Sequence, residues 1–389
     1  MKGKSDNNYV KIFALASFLH DMGSDIVFSL WPIFVTQVLG ANMAILGFID
    51  GLGDAIVSIS QAVSGYISDK IRKRKLFVWL GYLFGGAARI GYAIAPTWQW
   101  LIPFRVLDRS GKMRGSPRDA IISDLSKKEN RGRNFGLLRT MDNLGAIVGI
   151  LIAIFFLGTI GYKNLFLLAA IPSLIAVALI IIFVKENKPV ESKIYKGIRF
   201  AHFNNDLKLY TILSAIFALG SFSYSFLLVF AKQSGLKIGF VPVMYLLFTV
   251  IASIFSLPFG RLSDRVGRKK VLLFSFLFWA MLCVLFIFLK DYLSIIAGFI
   301  LYGLHKASIE PVQKAYVAEL APKEYLASTI GGFQMIVGLV TLPGSIIAGI
   351  LWDRLGMTAP FYFSLILTLA AFSLLLFIND GFKKSLDIV

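Results

Sequence analysis

Fourteen ionisable residues lie inside otherwise apolar stretches in the first half of this sequence. Seven are acids, namely Asp21, Asp25, Asp50, Asp54, Asp108, Asp119 and Asp142. Seven are bases, namely Arg89, Arg105, Arg109, Lys112, Arg114, Arg118 and Arg139. A charge in an apolar environment is costly, so each of these side chains is a candidate for binding, proton transfer or a stabilising ion pair. The equal numbers of acids and bases suggest a paired network.

The spacing of these residues indicates which of them share a helix face. Residues 105, 108, 109 and 112 follow the i, i+3, i+4, i+7 pattern of a single stripe, and the pairs 21/25 and 50/54 are each four residues apart. In the second half, Lys306 and Glu310 begin a similar stripe, with His305 beside it. Cations suit an anionic or zwitterionic ligand, and a carboxylate that loses its ionic partner in apolar surroundings can carry a proton.

Motifs for catalysis and for cofactor binding are lacking in the sequence. The Gly111-Lys112 pair is not a P-loop, because position 106 is Val where that motif needs Gly, and no GxSxG or HExxH occurs. The one cysteine, Cys283, lies in an apolar run and can form neither an intrachain disulfide nor a Cys/His metal site. We expect no enzyme activity, no cofactor and no metal.

The composition requires a membrane protein. Of the 389 residues, 57% are hydrophobic and only 16% are charged, which excludes soluble enzymes and disordered proteins. A membrane-spanning helix needs about 20 apolar residues. Twelve segments meet this criterion, at residues 10–38, 44–67, 76–95, 98–123, 134–158, 163–184, 209–231, 241–262, 271–289, 292–319, 328–351 and 360–378.

The net charge of +18 is explained by membrane topology. With the N-terminus inside, 26 of the 40 Lys and Arg residues fall in cytoplasmic segments, five in outer loops and nine within helices. This positive-inside bias places both termini in the cytoplasm and argues against nucleic-acid binding. It predicts a multi-pass protein of the cytoplasmic (plasma) membrane.

The chain contains an internal repeat. GYISDKIRKRK at 65–75 and GRLSDRVGRKK at 260–270 are 195 residues apart, and the same offset pairs Asp124 with Glu319 and Gly149 with Gly344. One register over about 85 residues implies two duplicated six-helix halves, an architecture of transporters with a midplane substrate site. We therefore predict an N-terminal bundle at 1–184, a cytoplasmic linker at 185–208 and a C-terminal bundle at 209–389.

The sequence resembles the major facilitator superfamily over essentially its whole length. The segment at 260–270 matches the loop motif of that family, whereas the first copy departs from it at Lys70 and at Arg72, which stands where the second Gly would be. DRSGKMRGSPRDAIISD at 108–124 resembles a helix 4 signature, DRxGKGxRxxPRDAxIxD, of a mainly prokaryotic subgroup. In the antiporter motif of helix 5, Gly145 and Gly149 are present, but Ile150 replaces Pro.

The resemblance implies a fold and divides the candidate residues into groups. The fold would be an all-α membrane protein of twelve helices in two pseudo-symmetric bundles, with helices 1, 4, 7 and 10 lining a central cavity. The substrate and proton cavity would include His20, Asp21, Asp25, Arg105, Asp108, Arg109, Lys112, Tyr224, His305, Lys306 and Glu310. A structural charge network would comprise Asp50, Asp54, Arg89, Arg114, Arg118, Asp119, Arg139 and Asp142.

A third group of residues forms a cytoplasmic gate in this interpretation. Its members are Gly65, Asp69, Arg74, Gly260, Asp264, Arg265, Gly267 and Arg268. The two glycines at 65 and 260 would allow helices to approach closely. The carboxylates of Asp69 and Asp264 would accept hydrogen bonds at a helix N-terminus, where the helix dipole favours an anion.

The function that follows is secondary active transport by alternating access. The substrate would be a small polar or ionic solute, such as a metabolite, an organic anion or a drug-like compound, and coupling would be to protons through Asp21, Asp25 or Glu310. We expect a monomer whose partners are the lipid bilayer, the substrate and protons, with no nucleic acid. The alternatives are a facilitator without ion coupling and a non-transporting sensor or assembly protein on the same scaffold.

Overall fold

The computed structural model describes residues 2–126, 130–186, 204–321 and 326–378. Within these ranges the protein is all-α, and no residue is in a strand. Most of the predicted linker, together with Lys323 and the C-terminal lysines, lies outside the described residues. The side chain of Asp69 is also outside the described part.

The first part of the chain forms seven α-helices. They are α1 (Lys2–Phe28), α2 (Trp31–Ile33), α3 (Met43–Ile71), α4 (Arg74–Ile94), α5 (Trp98–Ser110), α6 (Gly115–Leu125) and α7 (Arg131–Phe183). A π-helical turn, Phe34–Val38, follows α2, and a 3₁₀ turn, Gly111–Arg114, joins α5 to α6. The 53-residue α7 contains a non-helical residue at Gly161, with φ 72° and ψ 174°. Only glycine adopts such a backbone conformation readily, and it divides α7 between the two predicted spans.

The second part of the chain forms seven more α-helices. They are α8 (Asn205–Gly220), α9 (Tyr224–Gln233), α10 (Val241–Val266), α11 (Arg268–Phe288), α12 (Tyr292–Leu320), α13 (Leu326–Leu355) and α14 (Ala359–Leu376). Side-chain caps fix several of the helix starts. Asn204 Oδ1 accepts a hydrogen bond from Leu207 N at 2.7 Å, and Asp291 Oδ1 accepts one from Ser294 N at 3.0 Å.

Ten helices of the described chain are long and apolar enough to cross a membrane. The 52-residue stretch Gly132–Phe183 counts as one of these, although it is broken at Gly161. Helix 4 of the prediction, residues 98–123, is not among the ten, and it carries more charged residues than any other predicted span. The prediction of twelve spans and of the position of the termini therefore stays a prediction.

The chain folds into two compact units. The first comprises Met1–Ala41, Leu52–Tyr195 and Gly239–Val243, and the second comprises Asn42–Gly51, Lys196–Ile238 and Met244–Val389. Helix α3 thus contributes its first turns to the second unit and the remainder to the first.

Each unit has its own buried core. In the first unit, Phe13, Val78, Tyr82, Leu138 and Ile180 pack together from α1, α4 and α7. The core of the second unit is aromatic, and its rings come from α9, α11, α12 and α14, as in Phe230, Phe286, Phe299 and Phe361. These cores hold the helices that carry the charged side chains.

Candidate functional site

A buried arginine on α4 connects three elements of the first unit. Arg89 is 1% exposed, and its Nη2 donates to Ser24 Oγ at 2.6 Å and to the carbonyl oxygen of His20 at 3.2 Å. Its Nη1 donates to the carbonyl oxygen of Ala169 at 3.1 Å and to Ser173 Oγ. The guanidinium therefore binds α1 and α7 to α4 through neutral oxygens, which supports the structural assignment of this residue.

His20 belongs to the same buried cluster. The ring is 2% exposed, with Nε2 3.3 Å from Arg89 Nη2 and Nδ1 3.1 Å from Ser173 Oγ. Because Arg89 is a permanent donor, this geometry requires Nε2 to accept and Nδ1–H to donate to Ser173. His20 thus contacts the structural cluster, and its assignment to the cavity is a prediction from the sequence.

The cationic stripe of helix 4 begins on α5 with two arginines held against aromatic rings. The guanidinium carbon of Arg105 lies 4.5 Å from the ring centroid of Trp31, and that of Arg109 lies 4.5 Å from the ring centroid of Phe28. Asp108 lies beside them, with Oδ2 3.8 Å from Arg109 Nε. Cation–π contacts in a desolvated site contribute about 2 kcal/mol and fix the planes of both guanidinium groups.

Lys112 and Arg114 lie in the 3₁₀ turn that interrupts helix 4. This turn packs closely on α4, because a Cβ at Gly111 would lie 2.6 Å from the carbonyl oxygen of Gly81. Arg114 Nη2 lies 3.5 Å from Asp21 Oδ1 on α1. This pair joins a residue that we assigned to the structural network with one that we assigned to the cavity.

Below the turn, α6 carries a second ion-pair cluster. Arg118 is 3.2 Å from Asp119 Oδ1 and 3.8 Å from Asp142 Oδ1, and it also donates to Ser17 Oγ. Arg139 Nη1 lies 3.5 Å from Asp142 Oδ2. The cluster joins α1, α6 and α7, in agreement with the structural role proposed for these charges.

The three remaining acids of the first half are placed on α1 and α3. Asp25 is half-buried, Asp50 is 2% exposed, and Asp54 is exposed. A Cβ at Gly53, between the last two, would lie 3.0 Å from Arg105 Nε. Helix α3 therefore passes directly against the cationic stripe.

In the second unit, α12 carries an exposed ion pair. Lys306 Nζ lies 2.8 Å from Glu310 Oε1, and the two side chains are 36% and 63% exposed. His305 faces the opposite way, because it is 3% exposed and its Nδ1 lies 2.9 Å from Ser275 Oγ and 3.0 Å from the Ser275 carbonyl oxygen. Tyr224, at the start of α9, is half-buried with its ring 5.1 Å from that of Tyr245.

In each unit, an arginine of the loop motif forms an ion pair with an acid at the end of another helix. Arg74, at the start of α4, lies 2.6 Å from Asp124 Oδ2 at the end of α6. Arg268, at the start of α11, lies 3.0 Å from Glu319 Oε2 at the end of α12. The 195-residue offset that pairs the two acids in sequence thus corresponds to a repeated interaction.

The other described gate residues differ in burial, since Gly267 is buried, Gly65 and Gly260 are half-buried, and Asp264 and Arg265 are exposed. A Cβ at Gly65 would make only ordinary contact, 3.4 Å from Ser116 Cβ, and one at Gly260 would meet nothing within 4 Å. The expectation of a close helix approach at Gly260 is therefore wrong, since no neighbouring atom in the described chain requires a glycine there. Asp264 is exposed and lies 3.7 Å from Arg268, and Arg265 is exposed.

Several polar partners were not identified from the sequence. Ser17 and Ser24 on α1 share a face with His20 at the spacing i, i+3, i+7, so the periodicity of small polar residues could have indicated them. Ser173 and Ser275 come from distant helices. No local pattern could have paired them with a histidine, because serine is common in membrane helices.

These features together define a polytopic all-α membrane protein with duplicated ion-pair networks. The model of the Major Facilitator Superfamily matches residues 13–252 and 210–387, and the chain belongs to this family. Its members are transporters rather than enzymes.

Relatives and solved structures agree with this assignment. An uncharacterised MFS-type transporter of Methanocaldococcus jannaschii is 35% identical over 95% of this chain and 94% of its own length. The multi-drug resistance efflux pump PmrA of Streptococcus pneumoniae is 25% identical, with 91% of each chain covered. The structure of the nucleoside transporter NupG has a TM-score of 0.73 at 17% identity, over 95% of this chain and 98% of NupG. A POT family transporter in complex with 5-aminolevulinic acid has a TM-score of 0.79 at 13% identity, with 95% of each chain covered.

Proposed function

We propose that this protein is a proton-coupled secondary transporter that moves a small polar or ionic solute by alternating access. It would act as a monomer in the cytoplasmic membrane, with both termini inside. Membership of the family and the names of its relatives, which include an efflux pump and a nucleoside transporter, support transport of a small molecule. The Lys306–Glu310 ion pair is the observation that carries the proposal.

The position of this pair on α12 is informative. Lys306 is the fifteenth of the 29 residues from Tyr292 to Leu320, so about 21 Å of helix lies on either side of it. A lysine side chain is too short to reach the membrane surface over that distance. Two charged groups exposed to lipid at this depth would cost several kcal/mol. Their exposure therefore supports a water-filled path along this face of α12.

Glu310 is the group that we propose carries the proton. Its carboxylate lies 2.8 Å from the Lys306 ammonium, and a nearby cation favours the charged form, so that separation of the two groups would favour protonation. Asp21 and Asp25 are the other candidates. The side chain of Asp21 is 20% exposed and lies beside Arg114, and Asp25 is half-buried. Glu310, at 63% exposure, is more accessible to water.

The test uses the purified protein in proteoliposomes with imposed pH gradients. Solutes are first screened by thermal shift in detergent, and each hit is then tested for gradient-driven uptake and for counterflow. In Glu310→Gln we expect gradient-driven uptake to be abolished while counterflow is retained. Asp206→Asn is the control, because it removes an acid from the first turn of α8 that belongs to neither the cavity nor the gate group, and it should preserve both activities.

Other outcomes separate the alternatives. Equal loss of uptake and counterflow in Glu310→Gln would assign the residue to substrate binding or to structure. Uptake by the wild-type protein that does not depend on the pH gradient would identify a facilitator without ion coupling. The absence of any transported solute would favour a sensor or assembly protein.

A further inference from the structure

Lys112 lies at the middle of helix 4. It is 14 positions from Trp98 at the start of α5 and 13 positions from Leu125 at the end of α6. At about 1.5 Å per residue, each end of the helix is about 20 Å away. The ammonium group therefore cannot reach either membrane surface, although the residue as a whole is half-buried.

The charged neighbours of Lys112 compensate one another. Arg109 and Arg114 lie three and two residues from it on the same predicted helix, and each has an acidic neighbour. Asp21 is beside Arg114, at 3.5 Å, and Asp108 is beside Arg109, at 3.8 Å. Each of these arginines is matched by one acid, and neither ion pair includes Lys112.

Both neighbouring arginines are also fixed by aromatic rings. The guanidinium of Arg114 lies 5.1 Å from the Tyr82 ring centroid and donates to the Gly111 carbonyl oxygen at 3.1 Å. Arg109 is held over Phe28. For Lys112, by contrast, the described part of the chain provides no hydrogen bond or ion pair.

The second unit has a lysine at the equivalent depth, and there the charge is compensated. Lys306 is at the centre of α12, and Glu310 lies 2.8 Å from its ammonium. Lysine at the middle of a membrane helix thus has an acidic partner in one unit of this protein. In the other unit, an anion from outside the chain would complete the same arrangement.

We propose that Lys112 binds the anionic group of the transported solute, either a carboxylate or a phosphate. The inference rests on the proposed transport function and specifies its substrate class. The aromatic contacts hold Arg109 and Arg114 in place, which leaves Lys112 as the adjustable donor for a solute's anionic oxygens. A cationic solute would be repelled at this position.

The test measures thermal unfolding of the full-length protein in detergent at constant pH and ionic strength. The probes are two matched pairs, glucose 6-phosphate with glucose and 5-aminolevulinic acid with its methyl ester, together with inorganic phosphate. We expect a saturable rise in Tm with at least one anionic probe and none with its neutral or esterified partner. In Lys112→Gln, the apparent affinity should fall at least about tenfold, because an ionic hydrogen bond of about 1.5–3 kcal/mol is lost.

Three control variants accompany this measurement. Lys112→Arg keeps the charge and should restore most of the affinity, and Lys112→Met provides a second neutral variant in case the first is poorly folded. Lys290→Gln removes an exposed lysine outside the helices and should bind as the wild type does. If inorganic phosphate alone gives the full effect, the bound species is the free anion, and if only the organic probe does, the rest of the solute also contributes.

The proposal is overturned by any of three results. These are equal shifts from both members of each pair, unchanged affinity in both neutral variants, or no saturable shift from any of the probes. Because binding in detergent needs no gradient, failure of the Glu310 experiment would leave this result intact. Conversely, the absence of a Tm rise with the anionic probes would not contradict the proposal of proton coupling.

Discussion

Arg74 Nη1 lies 2.6 Å from Asp124 Oδ2, and this pair joins the start of α4 to the end of α6. The arginine side chain is 8% exposed and the aspartate side chain 46%. Arg268 and Glu319 join α11 to α12 in the same way, at 3.0 Å. The basic residues of the two loop motifs thus have a definite structural task within each unit.

Removing the acid of the first pair should destabilise the protein. Asp124→Asn removes the carboxylate that lies 2.6 Å from the buried Arg74 guanidinium, and we expect a loss of about 1 kcal/mol, reduced by the partial exposure of Asp124. Glu319→Gln should cost less, because the Arg268 side chain is 26% exposed and also lies near Asp264. Chemical denaturation in detergent measures both. A double-mutant cycle with Arg74→Gln that gave no coupling energy would contradict this explanation.

The two copies of the loop motif differ at one strained position. Arg72 has φ 55° and is the only non-glycine with positive φ among the described residues, while Gly267, 195 residues later, has φ 95°. An L-residue in the left-handed region costs about 1–2 kcal/mol, part of which a glycine recovers. We expect Arg72→Gly to raise the free energy of unfolding by up to about 1 kcal/mol and Gly267→Ala to lower it. Equilibrium unfolding of both variants measures this, and a destabilised Arg72→Gly would mean that the arginine side chain outweighs the strain.

The sequence was sufficient to predict the fold class because membrane insertion constrains it so strongly. Apolar runs, the positive-inside bias and the 195-residue repeat depend only on single helices or on the order of helices along the chain. The sequence also predicts the cationic stripe of helix 4, because residues 105, 109 and 112 lie on one helical face. The sequence does not predict the 3₁₀ turn at Gly111–Arg114. The backbone of this turn stays close to helical, and residues of the same types also occur within helices.

Contacts between side chains of helices that are distant in sequence cannot be predicted from the sequence alone. The i, i+4 relation of Lys306 and Glu310 was visible in the sequence, whereas Arg114 with Asp21 and Arg89 with Ser173 depend on how helices pack. His20 is adjacent to Asp21 in sequence. Its contacts are instead with Arg89 and Ser173, because adjacent residues on a helix point about 100° apart.

Gly149 on α7 provides a test of close helix packing. A Cβ there would overlap the carbonyl oxygen of Met22 on α1, and backbone cannot move aside as a flexible side chain can. We expect Gly149→Ala to cost about 1–3 kcal/mol, as is usual for overpacking. Gly136 is the matched control on the same helix, because a Cβ there meets nothing within 4 Å. Gly136→Ala should be neutral or slightly stabilising by helix propensity, and equal Tm values for the two variants would argue against the close approach.

Asp353, at the end of α13, caps a helix that begins 310 residues earlier. Its Oδ1 accepts a hydrogen bond from Met43 N at 3.0 Å, and its Oδ2 accepts one from Ala44 N at 2.8 Å, both at the start of α3 within the second unit. Asp353→Ala should lower stability by about 1 kcal/mol, as for other N-caps, and Asp353→Asn should lose less because one acceptor oxygen remains. Thermal unfolding of the two variants provides the measurement. Identical losses would show that charge, not hydrogen bonding, supplies the effect.

Asp291 caps α12 from just outside the membrane-spanning segment and should give stability a pH dependence. Hydrogen bonds from the Ser294 hydroxyl, at 2.6 Å, and from Ser294 N, at 3.0 Å, lower the pKa of the Asp291 carboxyl. An unstructured Asp titrates near about 3.9. Because the folded pKa is depressed, the stabilisation is fully present above that value and is lost as pH falls through the folded pKa.

The Tm difference between wild type and Asp291→Ala should therefore be constant from pH 7 to pH 5 and should shrink below pH 4. Asp291→Asn keeps one acceptor without the charge, so its Tm should be less sensitive to pH over this range than that of the wild type. A difference between wild type and Asp291→Ala that persisted unchanged to the lowest pH would show that the ionised carboxylate has no part in capping α12.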